Sequence, residues 1–162
     1  MDAEGTALVA TVALPVRSLT AEAFAPFGEV ISEGEIGATS LDLTRGTPRF
    51  YVMKLKPTSM RFNTITRHRQ VTQCLAATGG ESWLIGVGAP AELKSPDARP
   101  DEDKLFAFEI PGNVGIMLHQ GTWHAGPHFT DSDMSFFNLE HIDTNTVDHH
   151  TVTLSNTYTF GV

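Results

Sequence analysis

The sequence predicts an all-β protein, an antiparallel β-barrel or jelly roll carrying one short helix near its N-terminus. Three observations carry that expectation. Eight short segments rich in β-branched and aromatic residues recur along the chain, at 50–55, 63–66, 72–76, 83–87, 105–110, 114–118, 134–139 and 152–154. Turn residues punctuate them: Gly79-Gly80 reads as a hairpin turn, and Pro111-Gly112-Asn113 as a second reversal. Helical periodicity is confined to one stretch of about two turns. Many short strands with regular turns close into barrels or sandwiches.

Taken in order, residues 1–14 form a loose lead-in to a single domain spanning 1–162. Thr20 can cap a short helix by accepting a backbone N–H, with Glu22 in its first turn where the helix dipole favours negative charge. Pro26 and Gly28 end it, and Phe24 and Phe27 are expected to face inward. Glu29-Val30-Ile31 is a brief strand, and the Gly- and Glu-rich residues 32–40 make a mobile loop. Phe50-Tyr51-Val52-Met53-Lys54-Leu55 reads as a strand with one wetter side. Residues 88–103, with Pro90, Pro96 and Pro100, form a surface loop, while Phe108 and Leu118 belong to the core.

Composition narrows the function. The chain has 162 residues and a net charge of −8, which argues against nucleic acid, whose binding relies on basic patches. Cys74 is the only cysteine, so no internal disulfide forms and a reducing compartment fits. The longest apolar stretch, 7–16, is far short of the ~20 residues that span a bilayer. Asp2 and Glu4 stand where a targeting peptide carries positive charge. A cytoplasmic protein is expected, without membrane or nucleic-acid partners. A homodimer is expected as well, since open sheet edges are often covered by pairing.

The chemistry concentrates at two places. His119-Gln120-Gly121-Thr122-Trp123-His124 follows a strand and brackets a turn with two imidazoles. Arg67-His68-Arg69-Gln70-Val71-Thr72-Gln73 supplies another imidazole and a side-chain amide from a distant strand-rich block. Imidazole binds divalent metal through a neutral ring nitrogen and titrates near neutral pH, which suits acid–base work. His68 and Gln73 are five apart, so they reach one pocket only if the chain bends at Arg69-Gln70. Two or three histidines with an oxygen donor such as Gln73 or Glu140 suit nickel, zinc, iron or manganese. Trp123 can wall the pocket, and Arg67, Arg69 and Lys54 are candidates for a substrate carboxylate, Arg67 foremost. Glu140, Asp143 and Asp148 can orient imidazoles. His128, His149 and His150 read as surface or structural residues, and Cys74 as packing. No P-loop, dinucleotide fingerprint, nucleophile elbow or zincin motif is present, and no organic cofactor is expected.

Four blocks in these positions together resemble the ureidoglycolate lyase family of cupin-type enzymes. They are Leu19-Thr20-Ala21-Glu22-Ala23-Phe24 with Phe27-Gly28-Glu29-Val30-Ile31; Arg67-His68 with Thr72-Gln73; Gly80-Glu81 with the run 83–87; and Gly115-Ile116-Met117-Leu118-His119 through Trp123-His124. The chain differs from the family pattern at Thr66, where Glu is usual, at Ala125-Gly126, at Glu140-His141, and in the tail 143–150. These differences bear on the substrate more than on the fold.

The resemblance implies a cupin-like barrel that converts (S)-ureidoglycolate to glyoxylate and urea in allantoin and purine breakdown. The residues fit that chemistry: a divalent metal (nickel, zinc or manganese) on His68, Gln73 and His124 would chelate the substrate and acidify its hydroxyl. His119 would then take the hydroxyl proton as general base, and Arg67 would fork onto the carboxylate. Two alternatives keep the barrel: an enzyme acting on another small ureido or hydroxy acid, and a non-catalytic cupin that binds such an acid.

Overall fold

The structure, a computed structural model, describes residues 9–161. Strand β1 (Thr11–Ser18) leads into helix α1 (Ala21–Phe24) and strand β2 (Gly28–Ile31). Strands β3 (Pro48–Leu55), β4 (Arg61–Arg67), β5 (Gln73–Ala77) and β6 (Gly80–Gly88) follow. After a loop and a 3-10 turn come β7 (Phe106–Gly112), β8 (Gly115–Leu118), β9 (Trp123–His128) and β10 (Met134–His141). Helix α2 (Thr144–Val147) and the long strand β11 (His150–Gly161) complete the chain. The strands form a closed barrel in the order β1-β11-β4-β9-β6-β7 and a five-stranded sheet in the order β2-β8-β5-β10-β3. The expected all-β, cupin-like fold is what the chain adopts.

Two cores explain why the sheets pack as they do. Trp83, Ile85, Val87, Phe108 and Ile110 meet Leu75, Ile116, Leu118 and Phe136 between the sheets. Leu84 and Ala107 face the other way, into the barrel, with Leu14, Phe62, Ile65, Trp123, Leu154 and Phe160. β6 from Trp83 onward is therefore buried on both faces, so the run from Trp83 to Gly88 is continuously buried and lacks polar alternation. Thr20 Oγ1 accepts the Ala23 N–H at 3.1 Å. The helix thus capped sets Phe24 edge-on to Phe108, with 5.3 Å between ring centroids.

Three details differ from expectation. The lead-in ends earlier: residues 1–8 lie outside the described residues, but Thr11–Ser18 is a barrel strand whose Val12, Leu14 and Val16 turn towards the barrel core. β1 also runs parallel to both its neighbours, pairing β11 as far as Pro15 and β7 from Val16. The barrel is consequently mixed, because no hairpin joins β1 to a neighbour and so none imposes an antiparallel direction. Finally, Gly79-Gly80 does not close a hairpin, and Pro111-Gly112-Asn113 is the expected turn. They carry the chain between sheets, from β5 to β6 and from β7 to β8. Among the described residues no helix is long and apolar enough to cross a membrane.

Candidate active site

β4 leaves the barrel at Arg67, and the chain must turn there to enter the five-stranded sheet as β5. Asp148 stabilises the turn: its carboxylate accepts the N–H groups of Arg69 at 2.7 Å and Gln70 at 2.8 Å. This is the expected bend, and it brings His68 and Gln73 to the wall of one cavity. A second anchor comes from the reversal after β8. Gly121 donates its N–H to the His68 carbonyl at 2.7 Å, with a φ of 82° that favours glycine. A Cβ there would also strike Leu93 Cδ2. β9 then starts at Trp123 and pairs His124 with Thr66 of β4.

The cavity has a volume of about 430 Å³ and lies where β4 and β9 face β3, β5 and β10. At one end the His68 ring centroid is 5.1 Å from that of His124 and 5.6 Å from that of His149. His68 Nδ1 is 2.6 Å from the Asp148 carbonyl and His124 Nδ1 is 3.4 Å from the Thr122 carbonyl. A carbonyl only accepts, so each Nδ1 carries the proton and each Nε2 keeps a lone pair. Burial lowers the pKa of His68 against the opposing pull of its Asp148 bond. Burial, then the nearby His68, pushes His124 down to about 3. Both rings are therefore neutral donors at physiological pH.

A polar row on the five-stranded sheet faces these imidazoles. β10 alternates Phe136, Asn138 and Glu140 inward; the first packs in the core and the next two line the cavity. Gln73 Nε2 donates to Asn138 Oδ1 at 3.2 Å and to Glu140 Oε1 at 3.0 Å. That orientation leaves Gln73 Oε1 buried with no partner. Tyr51 donates to Glu140 Oε2 at 2.9 Å and accepts from Asn138 Nδ2 at 3.1 Å. Arg49 lies over the Tyr51 ring at 3.6 Å, its Nη2 3.8 Å from Glu140 Oε2. Burial, and then Glu140, raises the Tyr51 pKa, so the phenol remains a donor.

Of the residues singled out by sequence, His68, Gln73, His124 and Glu140 come together. His119, Arg67 and Trp123 do not line the cavity. The His119 ring bonds through Nε2 to the Ala25 carbonyl at 3.1 Å, across a narrow gap behind His68 and His124. Arg67 is fully buried and clamps the proline-rich loop, donating to the carbonyls of Ala91 at 2.8 Å, Glu92 at 3.3 Å and Ser95 at 2.5 Å. Its Nε donates to His150 Nδ1 at 2.9 Å. Trp123 is 1% exposed in the barrel core. The other two cationic candidates are also engaged elsewhere, Arg69 on the Leu93 carbonyl and Lys54 with Asp133. Of the carboxylates expected to orient imidazoles, Asp148 does so through its backbone carbonyl. Asp143 stands before α2 with no side-chain capping bond.

Sequence reasoning missed His149, Asn138, Tyr51 and Arg61. The alternation of Asn138 and Glu140 after Phe136 was a readable signal, since polar residues on the inward parity of a strand need a purpose. His149 carried none, because its placement depends on the turn made by α2. Of the positions that differ from the family pattern, Thr66, Ala125, Gly126 and Glu140 line the cavity, as do Asn145 and His149 of the tail, whereas His141 does not.

A family model described as ureidoglycolate lyase matches residues 35–160. This chain belongs to the ureidoglycolate lyase family. The matched span contains every residue that lines the cavity. A ureidoglycolate lyase of Pseudomonas savastanoi pv. phaseolicola is 27% identical over 131 residues, covering 68% of this chain and 72% of that protein. One of Azotobacter vinelandii is 27% identical over 130 residues, covering 68% and 74%. One of Pseudomonas syringae pv. syringae is 26% identical over 131 residues, covering 68% and 72%.

Among the described residues no three His, Cys, Asp or Glu side chains gather as a metal-binding group. The donors that do fit a divalent cation are mixed: the Nε2 lone pairs of His68 and His124, and the unpartnered Oε1 of Gln73. Two neutral imidazoles whose far nitrogens donate to carbonyls are the usual support for such a set.

Proposed function

We propose that this protein is a ureidoglycolate lyase that splits (S)-ureidoglycolate into glyoxylate and urea. The observation that carries the reading is the meeting of His68, His124 and His149 with Gln73 in one cavity of a chain from this family. The substrate is a 2-hydroxy acid with a ureido group on the same carbon, so cleavage requires a proton to leave oxygen and one to reach nitrogen. A nickel, zinc or manganese ion held by His68, Gln73 and His124 would supply Lewis acidity to the hydroxyl and a seat for the carboxylate.

His149 fits the proton-transfer role better than His119. It lines the cavity, is exposed at its mouth, and has no hydrogen bond to another side chain or backbone group among those described. His149 takes the hydroxyl proton; the oxygen electron pair forms the carbonyl, and the C–N bond breaks. The pair departs with the urea nitrogen, which takes a proton back from the imidazolium. Asn138 and Glu140 face the ureido group, the first with an amide and the second with a carboxylate that accepts N–H. Thr66, Ala125 and Gly126 leave room on the opposite wall.

Incubation of the purified protein with racemic ureidoglycolate tests this directly. The expected result is glyoxylate release from one enantiomer, lowered about 10²–10⁴-fold in His149→Ala. Tight binding without turnover would instead favour a small-acid-binding cupin.

A further inference from the structure

The cavity is longer than a compact acid bound at its histidine end requires. Its wall follows β4 from His68 back to Arg61 at the start of that strand. Thr66 is the register partner of His124, and Arg61 lies five residues before it, at the start of β4, beyond an irregularity in the β4–β11 pairing that lets both positions reach the cavity. At about 3.3 Å per residue the two positions are about 16 Å apart. The volume of about 430 Å³ falls in the ~300–1,000 Å³ range of sites that hold drug-sized ligands.

The two ends also differ in character. The buried carboxylate of Glu140 lies with the imidazoles, whereas Arg61 and Asn63 occupy the far end. Met53, Leu55, Phe62 and Leu75 add apolar wall. Arg61 is the one lysine or arginine lining the cavity, and none of the ion pairs among the described residues involves it. In a chain with a net charge of −8, an arginine presented to a cavity is a local preference for an anion, made sharper by the planar fork that matches a carboxylate.

We propose that the cavity takes an elongated dianion: a ureidoglycolate whose distal nitrogen carries an alkyl chain ending in a second carboxylate. The reacting carbon sits among His68, His124 and His149, the chain lies on Met53, Leu55 and Phe62, and the second carboxylate pairs with Arg61. The cleavage is the elimination already described, releasing glyoxylate and the substituted urea, with no redox partner. The orientation rests on the lyase reading; the preference of Arg61 for a carboxylate does not.

Two measurements test this. Glyoxylate release is compared for carboxypropyl-substituted and propyl-substituted ureidoglycolate. The expected kcat/KM is at least about tenfold higher for the former, with the gap closing in Arg61→Gln and partly kept in Arg61→Lys. Equal rates, or a gap that survives Arg61→Gln, overturn the proposal. Calorimetry then compares adipate with hexanoate. Adipate binding that depends on Arg61, in a protein that turns over no ureidoglycolate, supports the anion site and refutes only the lyase reading. Equal affinity for the two acids overturns the anion site whatever the chemistry.

Discussion

The rings of His68 and His124 stand 5.1 Å apart, and each turns Nδ1 to a main-chain carbonyl, of Asp148 and of Thr122. The bond of His68 is the shorter, so its ring is the more firmly fixed. If the proposed metal is held there, replacing either by alanine is expected to abolish its binding along with turnover, lowering kcat/KM by about 100-fold or more. Metal analysis of the purified variants, beside their rates, checks this. His119→Ala, outside the cavity, is expected to keep its metal. A His68→Ala protein with full metal content and activity would dismantle the proposed centre.

Much of this was legible in the residues and some was not. The short strands, the capped helix and the inward Phe24 and Phe27 are written in local pattern. The bend between His68 and Gln73 was deducible from parity alone. Arg67 misled because adjacency to His68 suggests a shared site, whereas successive strand residues point to opposite faces. Its guanidinium faces Trp123 and the loop, while His68 faces the cavity. β1 was missed because Pro15 interrupts its pattern, and β9 because Gly126 and Pro127 break its β-strand composition. Both strands owe their place to partners distant in sequence. His149 could not be found, since only the packing of α2 brings it back to His68.

Tyr51 holds the polar row together. Its hydroxyl donates to Glu140 and accepts from Asn138, and both partners are almost fully buried. Tyr51→Phe keeps the ring under Arg49 but leaves those groups short of a bond, at a cost of about 1–3 kcal/mol. A thermal melt should register a drop of about 2–10 °C for a chain of this size. Turnover should suffer in kcat more than in KM, because the variant misaligns Glu140 and Gln73 without removing a binding group. An unchanged melt and unchanged kcat would show that the row needs no such bridge.

The outer face of the five-stranded sheet is apolar where a lone sheet would be wet. Phe50 and Phe137 stack at 5.4 Å while 68% and 42% exposed, and Val52 beside them is 55% exposed. We propose that a second copy covers this face, since an uncharged flat patch can meet itself about a twofold axis. Sedimentation should give twice the 17.6 kDa of the chain, and Phe137→Glu should return the monomer. A monomer in the unmutated protein would refute the pairing.

His128 gives stability a pH dependence whose sign can be worked out. Its ring is packed against Phe62 and Phe160, with Nδ1 donating to the Ser59 carbonyl at 3.0 Å beside Thr58 Oγ1. Burial lowers its pKa, opposed by that bond. Above about pH 6.5, the free imidazole value, the ring is neutral folded or unfolded and contributes no slope. Below it the unfolded chain binds a proton that the folded chain refuses, so stability falls with pH until the lowered folded value is passed. The slope is at most about 1.4 kcal/mol per pH unit for this one group. Denaturant midpoints between pH 7.5 and 5, on metal-free protein, should decline, and His128→Gln should decline less steeply than its parent. Glu29 and Glu102, whose carboxylates are held below their usual range by hydrogen bonds, lose their contribution mainly at still lower pH and do not obscure the comparison. Parallel curves for parent and variant would mean that His128 titrates alike in both states.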